Sequence, residues 1–139
     1  MTIDNLMVQV VGKDNSILDL IVELNTEKQL FDKGIRSDET QLPNYSPTSI
    51  AFYGKPNRSF TLKDSGDFYK SFIAFVDSSK NITIQSNPEK VDSLTGFNIN
   101  LLEMYGEKIE GLTQESKEIL NKKIIIPVEK YIKKNIFQV

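Results

Sequence analysis

Ser71-Phe72-Ile73-Ala74-Phe75-Val76, Asp77-Ser78-Ser79-Lys80 and Asn81-Ile82-Thr83-Ile84-Gln85 form the continuous stretch that decides the fold. Two runs rich in β-branched and aromatic residues flank a polar turn, the pattern of an antiparallel hairpin. The returning run alternates, which predicts Ile82 and Ile84 inward and Thr83 and Gln85 outward. The outgoing run does not. Phe72, Ala74 and Val76 fall on one side and Ile73 and Phe75 on the other, so both faces call for cover. Such a strand is either sandwiched within its own domain or completed by a neighbour. The hairpin is expected at the centre of the fold.

Towards the N-terminus, Ser59–Leu62 and Ser49–Tyr53 read as short strands, and Gly54-Lys55-Pro56-Asn57 separates them. Residues 34–48 read as a loop, with turn signals at Asp38-Glu39, Pro43-Asn44 and Ser46-Pro47. Residues 3–33 read as helical. Ile17, Leu20, Ile21 and Leu24 share a face, Asp14 or Asn15 is placed to cap, and Gly34 is the natural stop. Leu6, Val8 and Val10 also alternate, so a strand fits that segment equally well.

Towards the C-terminus, Asn87–Asn98 reads as a loop and Ile99–Tyr105 as a turn or two of helix closed by Gly106. Thr113 is placed to cap a last helix, with Glu115 in its first turn and Leu120, Ile124, Val128 and Tyr131 along one face. Pro127 is expected to kink or split that helix. The fold class is therefore α+β: one domain, helical over 3–33, a loop over 34–48, a small antiparallel β-sheet over 49–86, and helical over 99–135.

A length of 139 residues suits one domain, and a net charge of −2 offers no general attraction for nucleic acid or an anionic membrane. No apolar run is long enough to cross a bilayer, and the first residues lack a basic signal-peptide region, so a cytoplasmic product is expected. The chain contains no Cys and no His. That excludes disulfides, thiolate nucleophiles, zinc–thiolate sites and Ser-His-Asp or Cys-His catalysis. An enzyme is not expected, and neither is a cofactor. The chemistry left open is a carboxylate Mg²⁺ site such as that of a small nuclease, with Asp64, Asp67 and Glu89 its first candidates.

Each conspicuous motif also has a plainer reading. Asp64-Ser65-Gly66-Asp67 has the ligand types of half a metal site, but an Asx turn with Gly66 at positive φ explains all of it. Gly54-Lys55-Pro56-Asn57-Arg58 lacks the frame of a phosphate loop and is better read as an exposed turn or arm. Lysines dominate the last helix, and with little aromatic interleaving they read as a solvated face. Phe52, Phe68, Tyr69, Phe72 and Phe75 mark either a core or an interface.

Three stretches together resemble a known group. They are Leu24-Asn25-Thr26-Glu27-Lys28-Gln29-Leu30-Phe31-Asp32-Lys33-Gly34-Ile35; Tyr45-Ser46-Pro47-Thr48 with Phe60 to Phe72; and Tyr105-Gly106-Glu107-Lys108-Ile109-Glu110-Gly111-Leu112-Thr113. The series resembles small proteins of phages and prophages of Bacteroides-like bacteria. Its centre is similar to the neck and tail-completion families of long-tailed phages, in Ser65-Gly66, Phe68 and Ser71-Phe72. The wider family has a Pro-aromatic segment before its last helix where this chain has Tyr105-Gly106. Neck, tail completion and tail terminator therefore all stay open.

The resemblance implies a virion component without catalytic activity: a homo-oligomeric ring in the head–tail connection, contacting other connector and tail proteins, with DNA passing through unbound. Tyr45, Pro47 and Tyr53, then Asp64 and Gly66, then Phe68, Tyr69, Phe72 and Phe75, are its expected structural-motif or interface residues. Loops 36–48 and 53–59 would then be arms ordered by neighbouring chains. A phage accessory protein that is never packaged is the remaining alternative.

Overall fold

The computed structural model describes residues 12–63, 65–79, 81–92 and 95–135, leaving aside the side chains at 126–128, 131–132 and 134–135. Leu6, Val8, Val10, Asp64 and the side chain of Pro127 thus lie outside the described residues. The architecture is α+β, with helices around two small antiparallel two-stranded sheets among the described residues.

Helix α1 (Asn15–Glu23) starts where Asp14 accepts hydrogen bonds from the backbone N–H groups of Ser16 and Ile17. It runs directly into α2 (Leu24–Lys33), a wide helix of the π type. Gly34 ends it at φ 63°, and a Cβ there would lie 2.0 Å from Ser59 Oγ. Glycine is required here both by conformation and by space.

The wide helix buries polar side chains, and each finds backbone partners. Asn25 Nδ2 donates to Ile109 O at 2.9 Å, and Gly111 N–H donates to Asn25 Oδ1 at 2.7 Å. One turn on, Gln29 Nε2 donates to Gly111 O at 2.8 Å, and Thr113 N–H donates to Gln29 Oε1 at 2.9 Å. Two amides thus clasp the segment Ile109–Thr113 and satisfy backbone groups that burial would otherwise leave unpaired. Thr113, held in this way, caps α6 (Gln114–Asn135) by accepting from Ser116 N–H at 3.2 Å. Helix α6 continues as one helix through position 127, so of the kink or split expected at Pro127 the split does not occur.

The expected hairpin forms. Strands β1 (Ile73–Val76) and β2 (Ile82–Gln85) pair antiparallel, with Ile73 opposite Gln85 and Val76 opposite Ile82. Asp77 organises the turn by accepting from the N–H groups of Ser79 and Asn81 and from the Thr83 hydroxyl. Those bonds, led by that from Asn81, hold its carboxyl below the usual range. Ile84 packs against both core clusters: Leu30, Leu42, Phe68, Tyr69, Phe72, Leu101 and Ile109 in one, and Ile17, Ile21, Leu24, Leu120 and Ile124 in the other. The hairpin therefore sits where the two clusters meet.

Several expectations need correction. The outgoing strand is not dry on both faces, since Ile73 is 54% exposed. Ile82 lies on the same face as Ile84, as expected, but stays partly open, lining a hollow with Ile84, Ile21 and Leu120. Helix α1 packs on one side of a sheet only two strands wide. Ser49–Tyr53 is not a strand but part of helix α3 (Pro47–Tyr53), and Ser59–Leu62 makes only an isolated bridge, Asn44 to Ser59. The sheet expected over 49–86 thus shrinks to the hairpin, preceded by the short helix α4 (Asp67–Lys70). The loop expected over 87–98 instead holds β3 (Glu89–Val91), paired with β4 (Asn98–Asn100). Asn100 then caps α5 (Leu101–Tyr105) by accepting from Glu103 N–H at 3.1 Å.

Candidate interaction arm

Between Leu42 and Thr61, both buried, the chain makes an excursion from the body. Its two legs are stitched together. Tyr45 N–H donates to Arg58 O at 3.1 Å, and Phe60 N–H donates to Pro43 O at 2.7 Å. The Tyr45 and Phe60 rings meet edge to face at 4.7 Å, and Phe60 meets Tyr105 at 5.8 Å. Arg58 anchors the returning leg by donating to Phe31 O. The expectation that both loops depend wholly on neighbouring chains for order is therefore corrected. Their roots order each other, and only the tip lacks support.

The tip is α3. Ser46 accepts from Ser49 N–H at 3.1 Å, Pro47 occupies the first helical turn, and Gly54 closes the helix at φ 65°. No residue of α3 is buried, and Phe52 and Tyr53 are 80% and 58% exposed. Burial does not explain two adjacent large aromatics on a helix this short. Lys55 follows them, its ammonium 5.7 Å from the Tyr45 ring centroid. From Gln41 to Leu62 the chain carries Lys55 and Arg58 and no acidic residue.

The sequence-derived residues divide between arm and body. Tyr45, Pro47 and Tyr53 lie on the arm. Phe68, Tyr69 and Phe72 are buried and pack on one another, with Phe68 and Phe72 edge to face at 4.9 Å. Phe75 is half-buried. Tyr69 donates its hydroxyl to Thr61 O, and burial raises its pKa. Gly66 adopts φ 91° ahead of α4, as the turn reading expects, and a Cβ there would meet nothing within 4 Å. Phe52, weighed in the sequence as core or interface, is the most exposed of the large hydrophobic residues described.

The metal alternative has a location too. Asp67 and Glu89 line one hollow of about 340 Å³, together with Ser65, Asn87 and Lys90. Asp64 lies outside the described residues. No group of three or more acidic residues able to hold a metal ion forms among the described residues. No described helix is long and apolar enough to cross a membrane. No protein-family model, curated protein or solved structure matches this chain.

Proposed function

We propose that this chain is a non-enzymatic structural subunit of a phage particle, acting as a ring of identical copies in the head–tail connection. The observation that carries the reading is the arm, whose stitched root presents a helix with exposed Phe52 and Tyr53 and no buried residue. Exposed aromatics on a projection with an ordered root suit a contact with another subunit. Further apolar residues lie open on the body, including Ile73 on β1 and Phe97, 71% exposed, beside β4. A net charge of −2 also suits a DNA conduit, since cationic lumen contacts would hold the passing phosphates.

The test is to purify particles of the phage or induced prophage that encodes the chain and measure its copy number by quantitative mass spectrometry. Stoichiometric presence, with ring density at the head–tail junction in electron micrographs, is the expected result. Particles that lack the protein would overturn the reading and favour an unpackaged accessory protein.

A further inference from the structure

We propose that the arm tip docks into the groove between α1 and β1 of a second copy of this chain. Phe52 and Tyr53 would cover the groove's apolar floor, and Lys55 would face its acidic rim. This contact rests on the ring reading above and names the surfaces that would join one subunit to the next.

The groove is a hollow of about 460 Å³. Leu18, Val22 and Ala74, all half-buried, form its floor. Asp19, Glu23 and Glu27 stand around it, and no basic residue lines it. Glu27 is engaged by Lys63 at 3.3 Å. Asp19 and Glu23 have no ion-pair partner among the described residues.

Charge separates this groove from the other two hollows. The one beside Gly66 holds Asp67, Glu89 and Lys90, and the one beside Leu112 holds Glu110 and Lys117. Each of those sets at least one base beside its acids. The α1–β1 groove alone among the three is purely acidic, and the arm is purely basic between Gln41 and Leu62. Opposite charge around an apolar contact fixes register and excludes wrong partners. No arm residue lines the groove of its own chain. Arm and groove are different surfaces of one molecule, so the contact runs head to tail, the arrangement that builds rings when its rotation closes.

The chain has no cysteine, so an introduced pair reports alone. Asn57 on the arm and Asn15 at the groove are exposed, and neither is among the residues proposed to make the contact. Particles built with Asn15→Cys/Asn57→Cys protein and treated with a short bis-maleimide should give a ladder of covalent multimers of this chain, while either single variant should give no such ladder on a denaturing gel. In sedimentation of the purified protein, Lys55→Glu and Glu23→Lys should each weaken self-association about tenfold or more, and the double swap should recover most of it. Both positions are exposed, so thermal melts at concentrations where the protein is monomeric should not move.

Incorporated protein without a ladder, or single swaps without effect, overturns the arm–groove contact and leaves the ring reading standing. Protein absent from particles and monomeric in solution overturns both.

Discussion

Phe72 and Phe52 carry the same side chain into opposite surroundings. Phe72 is 5% exposed, packed edge to face on Phe68 and close to Tyr69. Phe52 is 80% exposed at the end of an arm whose root is held by two backbone hydrogen bonds and the Tyr45–Phe60 ring contact. Phe72 stabilises the body in which it is buried. The arm tip leaves Phe52 and Tyr53 uncovered by the described chain, which is what makes it the candidate site.

The sharpest way to break the comparison is to truncate both rings. Phe72→Ala should cost roughly 3–5 kcal/mol in denaturant melts, the size typical of a filled aromatic core site. Phe52→Ala should cost less than about 0.5 kcal/mol, as surface positions do. A Phe52 cost near that of Phe72 would mean that the arm is packed in the free chain.

The clasp comes next in size. Gln29→Ala leaves the Gly111 carbonyl and the Thr113 N–H without their side-chain partners. A loss of roughly 2–4 kcal/mol is expected, since each buried unpaired group costs about 1–3 kcal/mol. Ser116 is equally buried, but its hydroxyl has no partner among the described residues. Ser116→Ala should therefore be within about 0.5 kcal/mol of neutral. Equal losses at the two sites, measured by urea denaturation, would show that burial and not hydrogen bonding holds Ile109–Thr113.

Two glycines sharpen the contrast between crowded and open backbone. Gly34→Ala meets both a positive φ and Ser59, so about 2–3 kcal/mol is expected. Gly66→Ala meets only the positive φ and should cost about 1–2 kcal/mol. Thermal melts that rank them the other way would place the close approach at Gly66.

The smallest effect is on pH dependence. Lys33 and Lys28 bond the Glu115 carboxylate and hold its pKa below the ordinary 4.5. A depressed carboxylate stabilises the fold above its unfolded pKa, and that contribution is lost as pH falls through the folded value. Acid titration of wild type should lose stability below about 4.5 more steeply than Glu115→Gln. The group is exposed, so added salt should narrow the difference.

Where a local rule was decisive, the sequence alone was enough. The Ser71–Gln85 hairpin, the Asp14 and Thr113 caps, the Gly34 stop and the positive φ of Gly66 all rest on contacts within a few residues. The arm helix was half legible. Ser46-Pro47 and Gly54 are helix start and stop signals, but Ile50, Phe52 and Tyr53 favour strand, and a segment this short does not decide by periodicity. Only the tertiary structure settled it, because a strand needs a partner edge and a helix satisfies its own backbone. The pairing of β3 with β4 was hidden for a related reason, since Glu89-Lys90-Val91 has no apolar alternation and gains its order from Asn98–Asn100 across the turn. The clasp was invisible because Asn25 and Gln29 look like solvent-facing helix residues until Ile109–Thr113 arrives from the far end of the chain. Short-range hydrogen bonding and steric preference are written in neighbouring residues. Which polar groups are buried, and which aromatics are left uncovered, depends on segments that meet only when the chain has folded.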